Sequence, residues 1–320
     1  YLYIYIGGFL FVLMYNVATG IFSALGDSRT PLYFLVSSSL VNIGLDLLFT
    51  MVIPMGVAGL AWATFITQGV AGVLCIVTLI FRLRKIKGEG KPVWFSPLLL
   101  KQMLYVAIPS VLQQSFVSVG NLVIQSIING YGSSVLAGYI AAVKLNTFVI
   151  TTITTVAGGL SAFAAQNLGA GKIRRVLHGS GIALLMAMVF IIPFSILFSV
   201  IPETMLKLFL EESSALSVST GTRFLIIVSP FYAVISVKLM LDSVLRGAQS
   251  MLSFMVATFA DLLIRVIMCY ILDPVLGVEG IWWSWPIGWV AATLISVGLF
   301  APGKWYKSLR AQHLFPALQK

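Results

Sequence analysis

Between Gln102 and Gly171 the only charged side chain is Lys144, and the runs 1–26, 47–81 and 280–303 carry none. A stretch of roughly 20 apolar residues spans a bilayer as a helix. Backbone groups in hydrocarbon must pair internally, which leaves helices and closed barrels. The period-2 alternation of a membrane barrel is absent, so these runs predict helices. Composition agrees: 9% of the residues are charged and the mean hydropathy is +1.01. A soluble domain carries about 25% charge. Cys75 and Cys269 sit inside apolar runs and read as packing residues, with no disulfide framework.

Nine membrane helices are predicted, at 2–24, 32–53, 58–81, 99–128, 134–163, 176–200, 217–243, 250–272 and 279–300. Pro31 fits the first turn of the second, with Thr30 as its cap. Alternate loops hold Arg29; Arg82, Arg84, Lys85, Lys87 and Lys91; Lys172, Arg174 and Arg175; Arg246; and Lys304, Lys307 and Arg310. The other loops hold Glu203, Lys207, Glu211, Glu212, Asp273 and Glu279, or no charge. The positive-inside rule makes the first set cytoplasmic, with Tyr1 outside and Lys320 inside. The excess of ten positive charges is spread over short loops on one side, so no nucleic-acid partner is expected.

A weak repeat runs through the chain. Leu25 finds Leu245, Pro54 finds Pro274, Gly56-Val57-Ala58-Gly59 finds Gly277-Val278-Glu279-Gly280, and Trp62 finds Trp283. The offset covers six helices, so both copies face the same way, as in parallel-repeat transporters. The expected domains are a partial amino-terminal lobe of three helices (1–81), a cytoplasmic linker (82–98), a six-helix lobe (99–300) and a cytoplasmic tail (301–320). The chain begins mid-span without a Met, and matching halves imply three further helices before Tyr1.

Asp46 lies inside a span, about 21 Å from its cytoplasmic end at 1.5 Å per residue. Ser38, Asn42 and Asp46 recur every four residues and share one face, and Thr64 reaches similar depth on the next helix. Carboxylate, amide and hydroxyl oxygens are hard donors that suit Na⁺ or share a proton. An ionisable group within the membrane is a functional candidate by default. Gln114, Ser118, Asn121 and Gln125 form a polar stripe on the fourth helix; Lys144, Thr147, Thr151 and Thr155 form one on the fifth. Both stripes suit either interhelical hydrogen bonds or a water-filled cavity. Asp261 and Arg265, four residues apart, neutralise one another or line that cavity. Lys238, Asp242 and Arg246 read mainly as an interfacial snorkelling ladder. No metal cluster, nucleophile elbow or phosphate loop is present in the sequence, so neither an enzyme nor a cofactor is expected.

These residues carry a family likeness. The turn Leu25-Gly26-Asp27-Ser28-Arg29-Thr30-Pro31, the motif Asn42-Ile43-Gly44-Leu45-Asp46 and the segment Gly59 to Thr64 resemble the multidrug and toxic compound extrusion (MATE) transporters. So do Ala165-Gln166-Asn167-Leu168-Gly169-Ala170-Gly171-Lys172, Leu245-Arg246-Gly247 and Gly280-Ile281-Trp282-Trp283-Ser284. The resemblance implies twelve helices in two six-helix lobes, about nine of them here. It also implies a monomeric secondary antiporter of the plasma membrane (the bacterial inner membrane) that exports amphipathic or cationic organic compounds against H⁺ or Na⁺. Its cation site implies roles for Asn42, Asp46 and Thr64, together with an Asp on a first helix that this chain lacks. Some members also use acids on the seventh and tenth helices, where this chain offers Gln113 and Gln114, and Ser236 with Lys238. The alternatives are a flippase for lipid-linked oligosaccharides, for which Lys144, Lys238 and Arg265 could supply a cationic cavity, and a membrane-embedded lipid-modifying enzyme.

Overall fold

Apolar runs of this length become helices in the computed structural model, which describes residues 2–86, 95–210 and 214–306. The helices are α1 (Leu2–Ala24), α2 (Arg29–Leu47), α3 (Gly56–Arg84), α4 (Pro97–Asn129), α5 (Ser133–Gly169), α6 (Ile173–Val200), the short α7 (Pro202–Lys207), α8 (Ala215–Val228), α9 (Tyr232–Gly247), α10 (Met251–Leu276) and α11 (Val278–Phe300). A 3₁₀ turn at Ser229–Phe231 joins α8 to α9, so Ala215–Gly247 forms one span bent at Pro230. Among the described residues, nine helical stretches are long and apolar enough to cross a membrane, at the positions expected from sequence. There are no strands among them, and the fold is all-α. The basic and acidic residues Lys87, Lys91, Glu211, Glu212, Lys307, Arg310 and Lys320 lie outside the described residues, as do 87–94 of the linker and 307–320 of the tail.

The chain divides into two compact units, Tyr1–Phe95 and Ser96–Lys320. In the first, α3 packs along both α1 and α2, around a small core of Ala18, Phe22, Cys75 and Leu79. Only Pro31 of α2 is fully buried. In the second, α11 packs along α9 and α10, and Trp282, Trp285 and Trp289, at spacings of three and four, enter the core. Trp282 stacks on Tyr139 of α5 with ring centroids 5.2 Å apart, and Phe224 of α8 meets both rings edge-on.

Three turns end their helices in one way. Asp27, Lys172 and Ser250 each donate a backbone N–H to a carbonyl five residues back, on Phe22, Asn167 and Leu245. The residue before each donor, Gly26, Gly171 or Gln249, has a left-handed φ of +78°, +73° or +58°. This is the Schellman motif. The cap of α2 differs from expectation: Asp27, not Thr30, supplies it, accepting from the Thr30 N–H at 3.1 Å and the Thr30 hydroxyl at 2.8 Å. Those donors favour the charged carboxylate and hold its pKa below the usual range.

The repeat survives in three dimensions with a shifted register. Gly56 and Gly277 both take a left-handed φ (+56° and +59°) at the turn before the third helix. A Cβ on Gly59 or Gly280 would strike a carbonyl of the preceding helix segment, Phe49 O at 3.0 Å or Leu272 O at 2.4 Å. Trp62 and Trp283 both stand exposed, at 41% and 39%. The helix-ending turn, however, pairs Gly26 with Gln249 rather than Leu25 with Leu245. The first copy is two residues longer between its turns, where α2 passes into a π-helical segment, Leu48–Val52, before Pro54.

Candidate functional site

Within the first unit, α2 meets α3 through polar side chains. Asn42 donates its amide N–H to the Thr67 hydroxyl at 3.4 Å. Thr67 is 5% exposed and donates in turn to the Ala63 carbonyl at 2.8 Å. Beside this contact lies a cavity of about 60 Å³, lined by Tyr15 of α1, by Ser38, Ser39 and Asn42 of α2, and by Thr67 and Gln68 of α3, with Leu35 and Ala71. That volume accommodates a few waters or a small ion. Its polar lining is uncharged: hydroxyls and carboxamides only. The Tyr15 hydroxyl is fixed by donation to the Pro31 carbonyl at 3.0 Å.

Asp46 lies one turn beyond Asn42 on α2. Its Oδ1 is buried and has no hydrogen-bond partner among the described residues. A buried acceptor without a donor costs about 1–3 kcal/mol, more when charged. The π-helical segment begins two residues later, and the Thr50 hydroxyl donates back to the Asp46 carbonyl at 2.6 Å. Such insertions in a helix recur at functional sites. Of the predicted trio, the structure pairs none directly. Asn42 meets Thr67 instead of Thr64, and the Thr64 hydroxyl is taken by the Leu60 carbonyl at 3.0 Å. Sequence reasoning missed Thr67, Gln68, Tyr15 and Ser39. Thr67 stands three residues after Thr64, on the same helical face, and that spacing was the available signal.

In the second unit, Gln114, Ser118, Asn121 and Gln125 are exposed on α4, as are Lys144, Thr147 and Thr151 on α5. Asp261 and Arg265 are buried instead. Their charges meet at 3.0 Å, the Arg265 guanidinium lies 4.6 Å from the centre of the Trp285 ring, and a Cβ on Gly288 would stand 2.9 Å from Asp261 Oδ1. The pair is sealed against α11. Lys238 and Asp242 also depart from expectation. They do not snorkel: both are 3% exposed, paired at 2.9 Å, with the Ser296 hydroxyl of α11 donating to Asp242 at 2.8 Å. Their helix turns this face inward onto α10 and α11, so a lysine that would snorkel on a lipid-facing helix has a core partner. Arg246, nearer the helix end, lies over the Phe254 ring at 5.6 Å. No cluster of metal-ligating side chains occurs among the described residues.

This architecture has known counterparts. The chain is 30% identical over 257 residues to a probable multidrug resistance protein, YpnP, of Bacillus subtilis, covering 80% of this chain and 57% of that protein. It is 25% identical over 309 residues to another, YoeA, from the same organism, covering 91% and 64%. The chain thus spans about three-fifths of the length of these relatives. A multidrug resistance MATE transporter of the MOP superfamily, solved in an outward-facing conformation, superimposes with a TM-score of 0.84 at 21% identity, over 96% of this chain and 69% of that one. The MatE family model matches residues 109–271, from α4 into α10. The chain belongs to the MATE family of membrane transporters.

Proposed function

We propose that the protein is a secondary antiporter that exports amphipathic organic compounds, driven by H⁺ or Na⁺ entering through Asp46 and Asn42. The buried, unpartnered Oδ1 of Asp46 carries this reading. It is a carboxylate oxygen in a membrane span, one turn from a cavity lined by hydroxyls and carboxamides. The cation or proton satisfies Asp46 in one conformation better than in the other, and that difference in affinity is what couples binding to a conformational change. Asn42, Thr67 and Ser38 hold ordered water or ligand oxygens beside it, and Thr64 stays a supporting group. The relatives named as probable multidrug resistance proteins support an organic cargo. The flippase reading loses support because Lys238 and Arg265 are closed by their own acids. The basic loops support a cytoplasmic carboxy terminus in a bacterial plasma membrane, and a monomer is the assembly we propose.

The test is Asp46→Asn in the full-length transporter, reconstituted in vesicles with an imposed proton or sodium gradient. The amide keeps the shape and removes the charge. Gradient-driven efflux is lost while substrate binding persists. Efflux at the wild-type rate would place the coupling acid elsewhere.

A further inference from the structure

An open acid would be the direct counter-charge for a cationic cargo, and the second unit offers none in its described spans. Asp242 and Asp261 are each nine-tenths or more buried and closed by Lys238 and Arg265. At the helix ends Asp273 accepts from the Tyr131 hydroxyl, and Glu279 pairs with Arg223 at 3.6 Å. Away from the span ends, one charge among the described residues is left over. Lys144 has no carboxylate within 4.0 Å among the described residues, and it is exposed. It stands about 17 Å from the start of α5 at 1.5 Å per residue, near the middle of a bilayer.

The face around Lys144 is polar over several turns. Thr147, Thr151 and Thr155 follow it at helical spacing, all exposed, opposite the buried stripe of Ala142, Asn146, Val149 and Ile153. A lipid-facing surface is apolar, and an ammonium at mid-depth costs at least about 2.5 kcal/mol unless it meets water or a counter-charge. Ile140 and Phe148 flank the polar line and supply apolar area.

We propose that this face of α5 binds the negatively charged group of an amphipathic substrate, with Lys144 as its counter-charge. The carboxylate, sulfonate or phosphate accepts from the Lys144 ammonium and from the Thr147 and Thr151 hydroxyls, and the apolar body lies against Phe148. The inference rests on the transporter reading but not on Asp46 as the coupling acid. For this unit it replaces the cationic cargo expected from sequence, because the acids of its described spans already have partners.

Equilibrium binding to the full-length transporter tests it, with carboxyfluorescein and a cationic rhodamine ester as probes of similar size and opposite charge. Wild type binds the anion. Lys144→Gln binds it at least about tenfold more weakly, a loss of 1.4 kcal/mol. Lys144→Arg retains it, and Lys144→Glu turns the preference toward the cation. Anion binding unchanged in Lys144→Gln, or a cation preference in wild type, overturns the proposal. Asp46→Asn separates the two readings: anion binding that survives without gradient-driven efflux upholds both. Anion binding that survives with efflux intact overturns only the coupling acid. Competition by an isoprenoid pyrophosphate against the dye assigns the anion to a lipid head group; its failure assigns it to a soluble acid.

Discussion

Gln249 carries a left-handed φ of +58° at a position where the two equivalent turns use Gly26 and Gly171. A side chain there crowds the following carbonyl, at a cost of about 1–2 kcal/mol. Glycine removes that cost but adds freedom to the unfolded chain, worth about 0.4–1 kcal/mol in the other direction. Gln249→Gly therefore stabilises by roughly 0.5–1 kcal/mol, and Gly171→Gln destabilises by a similar amount. Thermal unfolding in detergent, with both variants beside wild type, checks the two signs. At the same scale, Asp46 and Lys144 are alike in being ionisable residues within spans: among the described residues Asp46 Oδ1 has no hydrogen-bond partner and Lys144 no carboxylate within 4.0 Å, and we propose a ligand of opposite sign for each.

Helix α9 is held by the ion pair it carries. Lys238 pairs with Asp242 and donates to the Thr258 hydroxyl of α10 at 3.5 Å, and Asp242 accepts from Ser296 of α11. Three helices are tied at one buried point. Breaking such a pair from one side strands a buried charge and costs about 3–5 kcal/mol. Lys238→Met should lose that much stability. The double variant Lys238→Met with Asp242→Asn should recover most of it, because the amide still accepts from Ser296 and no charge remains. A double variant as unstable as the single one would show that the contribution comes from Lys238 packing instead. The spacing of four between the two residues was legible in the sequence, but their burial was not. That depends on which face of α9 meets α11, and an amphipathic period identifies a face without saying what covers it.

Across the whole chain, the orientation we propose rests on turns and charge together. The turns at Gly26, Gly171 and Gln249 share one hydrogen-bond pattern and all lie in basic loops. The turns at Met55, Tyr131 and Gly277 lie between them, at the other ends of the spans. At Tyr131 the hydrogen bond to Asp273 and burial push the phenol up to about 12, so this tie holds throughout the physiological pH range. Single cysteines at Ser28, Lys172 and Ser250, with Cys75 and Cys269 replaced, should resist a membrane-impermeant thiol reagent in intact cells. Cysteines at Met55, Tyr131 and Glu203 should react. The reverse pattern would invert the topology.

The sequence by itself determined the spans and the all-α class, because these depend on local hydropathy and backbone chemistry that neighbouring helices do not alter, and it showed the repeat but not the register of its helix-ending turn. It also marked Asp46 and Lys144, since a charge inside an apolar run is visible without coordinates. Only the tertiary structure decided their company. Asn42 meets Thr67 and not Thr64 because about 4.5 Å, three residues of helix, separates the two threonines' heights, and the packing of α2 on α3 selects between them. Depth counted from a loop cannot resolve one turn when the helix before it ends in a π-helical segment. The same holds for Asp242 and Asp261: residues four away in sequence supplied the counter-charges, and the packing of α11 buried both.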